Sequence, residues 1–221
     1  LEPEAFDMPF GFSTGAGVIF GASGGVMEAA LRYAVEKLEN RKLEKVDFKA
    51  VRGLAPRKEA TLEVAGKTVR VAIVHGLDKA RKLINEIKAG KVKFDFVEVM
   101  ACPGGCISGA GQPITKNDTV RQLRTQGIYA SDKRFQLQKS QDNYMVERCY
   151  KEHIGGKPGS REAHHCLHTR YSNRSQLFDA KVPVITGTAA KKLPVIVTIC
   201  ANQPDCPGQT LLGLIVKYVK E

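Results

Sequence analysis

The chain has 221 residues, 43% of them hydrophobic, and carries 34 Lys and Arg against 23 Asp and Glu for a formal net charge of +11. That length buries a core for one domain, or for one domain with a small appendage. No apolar run reaches the roughly 18 residues a bilayer-spanning helix requires, six cysteines in a chain this long do not make a disulfide scaffold, and without basic blocks interleaved with aromatics nucleic acid is not an expected partner.

The amino terminus, Leu1-Glu2-Pro3-Glu4, lacks the charged-then-apolar order of a signal peptide. Reduced thiols in a cytoplasmic compartment are therefore expected. With no initiator Met, the chain reads as processed, trimmed or cut from something longer. Residues 1–25 are rich in Gly and Pro and read as loop-like. Ser13-Thr14-Gly15-Ala16-Gly17 and Ala22-Ser23-Gly24-Gly25 flank the apolar run Val18-Ile19-Phe20. A helix is predicted from about Val26. Its stripes Met27, Leu31, Ala34, Leu38 and Val26, Ala29, Ala30, Tyr33 leave the first half apolar nearly all round, so it should be deeply buried.

A hairpin follows. Thr61–Val64 alternates, Ala65-Gly66-Lys67 turns, and Thr68–Val74 returns. Ala80, Leu83, Ile84 and Ile87 predict a helix over 78–89, stopped by Gly90. Phe94–Val99 then reads as a strand. The order strand, helix, strand predicts a parallel α/β unit with a right-handed crossover.

That second strand runs into Met100-Ala101-Cys102-Pro103-Gly104-Gly105-Cys106. Ligands of open α/β sheets sit beyond the carboxyl ends of the strands, so the cysteines stand where a cofactor is expected. Two thiols four positions apart across Pro-Gly-Gly suit a soft metal, zinc or an iron–sulfur cluster, and are also compatible with two buried thiols in a tight turn. Glycines let backbone approach a bulky cluster.

Residues 109–140 read as irregular, with helices near 141–153 and 160–170. His164 and His168 share one face of the latter, better explained as a packing helix than as a metal site. Residues 175–192 read as a linker, Leu193–Cys200 as a buried strand, and Leu212, Ile215, Val216 and Val219 as one face of a closing helix. Cys200 and Cys206, between these last two elements, are expected to serve structure or partner docking.

Phe96–Cys106 followed by Gly111-Gln112-Pro113 resembles the third cluster-binding motif of the iron-only (FeFe) hydrogenases. Ser13–Ala30, Val51-Arg52-Gly53-Leu54 and Ala163–Tyr171 resemble further segments of that family, in order, over residues 1–174. The resemblance implies an α/β fold: one half of the family's two-lobed catalytic domain, a parallel or mixed sheet flanked by helices. Residues 175–221 would then be a linker and a small strand-helix extension. It implies a 4Fe–4S cubane joined through one cysteine sulfur to a two-iron unit bearing CO, cyanide and a dithiolate amine, together the H-cluster. By position Cys106 would be the bridging ligand and Cys102 a terminal cubane ligand. Met100 would pack beside the two-iron unit, and Phe20, Gly21 and Gly24 would line the pocket. The amides at the helix start near Val26 would face its compact anionic ligands.

Two departures qualify this. The family's other cluster cysteines, in a motif of two adjacent cysteines before a proline and in a Pro-Cys motif followed by lysine, do not occur in these residues. Either a complementary hydrogenase chain would supply them, or the chain is one piece of a longer product. Ferredoxin or flavoprotein subunits would bring electrons, with the basic surface docking an acidic ferredoxin. The alternatives are a sensory or cluster-assembly relative without hydrogen turnover, and a zinc-bound structural module. The second departure is the tail of about fifty residues beyond the last matching segment.

Overall fold

A computed structural model describes residues 12–168 apart from Ala110, Thr115 and Lys116, together with Glu4 and the backbone of the strand Val195–Ile199. The expected linker, the closing helix, Cys200 and Cys206 lie outside the described residues.

The core is a four-stranded sheet, β1 (Arg57–Val64), β2 (Lys67–His75), β3 (Phe96–Met100) and β4 (Val195–Ile199), in that spatial order. β1 and β2 form the predicted antiparallel hairpin, longer than its alternating stretch suggests. Its two-residue turn places Ala65 at φ 51° and Gly66 at φ 72°, the left-handed pair that matches the twist of the flanking strands. β3 lies parallel to β2 and β4 parallel to β3. The sheet is thus mixed, as expected, and the strand near the carboxyl terminus completes it.

Between β2 and β3, helix α3 (Leu77–Lys88) makes the crossover. Helix α2 (Gly25–Glu39) covers the opposite face. Side chains of a strand alternate between faces. Val71 and Ile73 accordingly join Met27, Ala30, Leu31 and Ala34 of α2, whereas Ala72 and Val74 join Ala80 and Leu83 of α3. Double coverage explains why β2 is apolar without interruption from Val71 to Val74. Leu83 is 1% exposed, and its burial contributes about 2 kcal/mol.

Three smaller helices and one long one complete the unit. α1 (Gly15–Ile19) is capped by Thr14, whose hydroxyl accepts from the Gly17 N–H at 3.1 Å. α4 (Asp118–Arg134) is capped by Asn117 in the same way. α5 (Tyr144–His153) and α6 (Arg161–Leu167) pack through Val146, Tyr150 and Ala163. Two expectations are corrected here. The 1–25 segment contains the short helix α1, and the 109–140 stretch is mostly the 17-residue helix α4. α4 docks on α1 and α2 through Tyr129, which packs with Ala16, Ile19, Ala22 and Ala29.

Charge supplements that apolar contact. Arg32 is fully buried and donates to both Asp132 oxygens and to Glu28. Arg52, of the Val51–Leu54 motif, donates to Glu28 at 2.7 and 2.5 Å and lies 4.1 Å from the Tyr129 ring centroid. The motif residues therefore stitch α2, the 47–52 segment and α4 into one block.

Candidate functional site

The cysteine loop leaves the carboxyl end of β3, as the strand order predicts. Its entry is held by the Gly76 N–H, which donates to the Met100 carbonyl at 2.8 Å. The loop closes on itself where the Gly105 N–H donates to the Cys102 carbonyl at 3.0 Å. Cys106 then opens a single 3₁₀ turn, Cys106–Ser108. Cys106 is exposed and Cys102 half-buried, and both are free thiols. Partial burial and then the neighbouring Cys102 push the Cys106 thiol pKa above its ordinary value.

Gly105 has φ 96°, and a Cβ there would fall 2.9 Å from the Gly21 carbonyl, from Met100 Sδ and from Ser23 N. The space beside this glycine is filled by protein, not left open. It lets two loops touch. Met100, 2% exposed, lies beneath it.

The second loop, residues 20–25, joins α1 to α2. Phe20 caps α1 and packs with the Tyr129 cluster. Gly21 accepts at its carbonyl from the Ile107 N–H at 3.1 Å, and the Ser23 N–H donates to the Gly104 carbonyl at 2.9 Å. Gly24 has φ 94° and would bring a Cβ to 2.0 Å from the Val51 carbonyl. Phe20, Gly21, Gly24, Cys102 and Cys106 thus belong to two loops bonded to each other at two points, with Met100 at the end of β3 beneath them. On the far side, Arg124 of α4 donates to the Ile107 carbonyl at 2.7 Å.

Sequence reasoning missed the group that anchors this pair of loops. Glu98, in the middle of β3, is 0% exposed, and its two oxygens accept from the Gly24 and Met27 N–H groups at 2.6 and 2.7 Å. Two amides at the start of α2, those of Gly24 and Met27, are in this way already taken. Lys58 of β1 donates to the Ser23 and Gly53 carbonyls at 2.9 and 2.6 Å. Burial pushes the Lys58 pKa down to about 8, against the opposing pull of Glu98. The signal was present: an acid in the otherwise apolar run Phe96-Val97-Glu98-Val99-Met100.

The donor set fits one edge of an iron–sulfur cluster: two soft thiols on one loop, with Cys106 on the open face. Among the described residues no group of three or more His, Cys, Asp or Glu can hold a metal ion. The pair therefore offers half of a four-thiolate set. Ser23 Oγ, Ser108 Oγ and Arg121 Nε, all near this loop, are buried and lack a hydrogen-bond partner among the described residues. His164 and His168 stack at 4.6 Å between ring centroids, and Cys149 and Cys166 are single thiols.

Residues 1–110 match the family model for the iron only hydrogenase large subunit, C-terminal domain, and residues 118–174 match the model for the iron hydrogenase small subunit. The NADP-reducing hydrogenase subunit HndD of Solidesulfovibrio fructosivorans is 45% identical over 178 residues, 80% of this chain and 30% of that protein. The protein NAR1 of Arabidopsis thaliana is 32% identical over 158 residues, 69% of this chain and 33% of that protein. Among solved structures, a variant of the FeFe-hydrogenase HydA1 from Chlamydomonas reinhardtii aligns at a TM-score of 0.59 and 34% identity, over 77% of this chain and 50% of that one. The chain spans about a third of the length of these curated relatives and half of the solved chain.

Proposed function

Because the chain belongs to the iron-only hydrogenase family, we propose that it is the carboxyl-terminal half of a hydrogen-activating domain and that Cys102 and Cys106 hold its iron–sulfur centre. When bound, the cluster supplies the redox and hydrogen-splitting chemistry, two protons and two electrons exchanging with dihydrogen. Cys106 serves as the bridging ligand and Cys102 as a terminal cubane ligand. Phe20, Gly21, Gly24 and Met100 form the wall behind them and exclude water. The observation that carries the reading is the pairing of both thiols on one loop at the end of a central parallel strand, pinned to a second glycine-rich loop.

The other two cluster thiolates and the thiol that delivers protons come from a complementary hydrogenase chain or from another part of a longer polypeptide. Ferredoxin or flavoprotein subunits deliver electrons, and the basic surface receives the acidic one of them, in the cytoplasm. Among the described residues no helix is long and apolar enough to cross a membrane. Residues 1–174 form the hydrogenase unit and 175–221 an extension in this scheme.

The test is co-expression with a chain bearing the missing cysteine motifs, followed by maturation. Hydrogen turnover and infrared bands of CO and cyanide are expected in the wild-type pair and absent in Cys106→Ala. Unchanged turnover in that variant sinks the assigned bridge. A second reading, a cluster-bearing assembly protein without turnover, is favoured by the likeness to NAR1. Iron and sulfide without those infrared bands in matured protein would decide for it.

A further inference from the structure

We propose that Glu98 and Lys58 are positioning residues that hold the glycine loop against the cysteine loop, and so set how tightly Cys102 and Cys106 grip a metal. The inference rests on the reading of those cysteines as a thiolate pair, and deepens it.

The start of α2 poses a local problem. A helix exposes unpaired N–H groups at its amino end, and a Ser, Thr, Asp or Asn at the N-cap normally covers them. Position 24 cannot carry one, since Gly24 is left-handed and abuts the Val51 carbonyl. Glu98 supplies the missing acceptor from 71 and 74 positions away. A carboxylate at this end also meets the favourable sense of the helix dipole. Taking such a charge fully out of water costs several kcal/mol when it is not matched by donors. Two short backbone hydrogen bonds and a nearby ammonium provide the match.

The same carboxylate sits on the strand that delivers the cysteines. Glu98 lies two positions before Met100 and four before Cys102. It therefore bolts the first turn of α2 directly to the root of the cysteine loop. Lys58 grips the next residue along, at the Ser23 carbonyl, and ties it to Gly53. The N–H of that same Ser23 reaches the Gly104 carbonyl, and Ile107 reaches back to Gly21. A path of hydrogen bonds thus runs from Lys58 and Glu98 through residues 21–24 to the Gly104 carbonyl, two residues before Cys106, and to the Ile107 N–H just after it. Neither side chain touches the thiols. Their effect passes through the geometry of the loops, as with outer residues that orient metal ligands, where loss commonly weakens metal affinity about 10–100-fold.

The experiment uses the full chain with Cys149, Cys166, Cys200 and Cys206 replaced by Ser, titrated with cadmium as a soft probe of the remaining thiol pair and followed by thiolate charge-transfer absorbance. Amide hydrogen exchange at Ser23, Gly24, Met27 and Ile107 is read in parallel. Glu98→Gln keeps the size but turns an N–H₂ toward one amide donor. It is expected to bind cadmium about tenfold more weakly and to exchange faster at all four amides, with unchanged circular dichroism. Lys58→Gln should move both readouts in the same direction by less, with the largest exchange change at Ser23. A folded Glu98→Gln chain with wild-type affinity and wild-type exchange at Ser23 and Ile107 overturns the proposal. If Glu98→Gln does not fold, Lys58→Gln decides, and wild-type affinity there overturns it equally. Should the parent chain bind cadmium no better than its Cys102→Ser form, the thiol-pair reading fails and with it the metal-affinity half of the proposal. The exchange data then still report separately on the clamp.

Discussion

Arg32 and Asp132, 100 positions apart in the sequence, meet through two hydrogen bonds of 2.8 and 2.7 Å with both side chains out of reach of water. Arg32 lies in the segment matching the large-subunit model and Asp132 in the segment matching the small-subunit model. Removing one partner of a buried pair strands the other charge. Asp132→Ala should therefore cost about 3–5 kcal/mol in a denaturant titration. A loss no larger than that of an exposed pair, under about 1 kcal/mol, would show that the guanidinium finds other partners.

The two segments make a further expectation specific. Residues 1–113 and 114–221, expressed as separate polypeptides, should co-purify through Arg32, Tyr129 and the Arg124 bond to Ile107. Asp132→Ala should weaken that association in a pull-down. Two pieces that never associate would mean that the connection itself maintains the docking.

Glycine substitutions should separate packing from conformational freedom. Gly24→Ala meets both a left-handed backbone and the Val51 carbonyl at 2.0 Å, and should cost more than about 2 kcal/mol. Gly127, inside α4, has nothing within 4 Å of an added Cβ. Gly127→Ala should stabilise by about 0.5–1 kcal/mol by restricting the unfolded chain. Thermal unfolding of the two variants should move in opposite directions.

Lys58 gives a pH signature. Its pKa in the folded chain is lowered to about 8 by burial, while an unfolded lysine titrates near 10.4. Between those values the unfolded chain binds the extra proton, so stability rises with pH in that window. Below the window, the folded chain bears the cost of the buried charge. Cys106 and Tyr129, both with raised pKa values, oppose the trend at its upper end. The difference between wild type and Lys58→Met isolates the lysine. It should grow in favour of wild type from pH 8 to 10, and a flat difference would exclude a lowered pKa.

Much of the fold was legible because apolar periodicity made it. α2, α3 and β1 each bury a face that their sequence writes out in steps of two or of three and four, and β3 reads as a short apolar run buried on both faces. α4 was not, for a physical reason. Asp118–Arg134 presents few apolar side chains, contains Gly127, and is fastened by Tyr129, Asp132 and Arg124 to partners far away in the chain. α1 spans five residues, two of them glycine, and has no period to read. At the site, the motif residues announced the cysteine and glycine loops. That Gly24 and Gly105 make room for neighbouring backbone was not legible, because sequence does not reveal whether the space beside a glycine is empty or occupied by another stretch of chain. Glu98 escaped notice because its partners are amides, which no residue name discloses.

The position of β4 has a bearing on how the chain behaves when shortened. β3 pairs with β2 on one side and with Val195–Ile199 on the other. A version ending after Leu167 would leave one rim of Phe96-Val97-Glu98-Val99-Met100 with unanswered peptide groups along a greasy, flat ribbon. Such a rim is a template for recruiting the same stretch from a neighbouring molecule. Trimming the tail to simplify the protein would invite self-association at the very strand that presents its sulfurs.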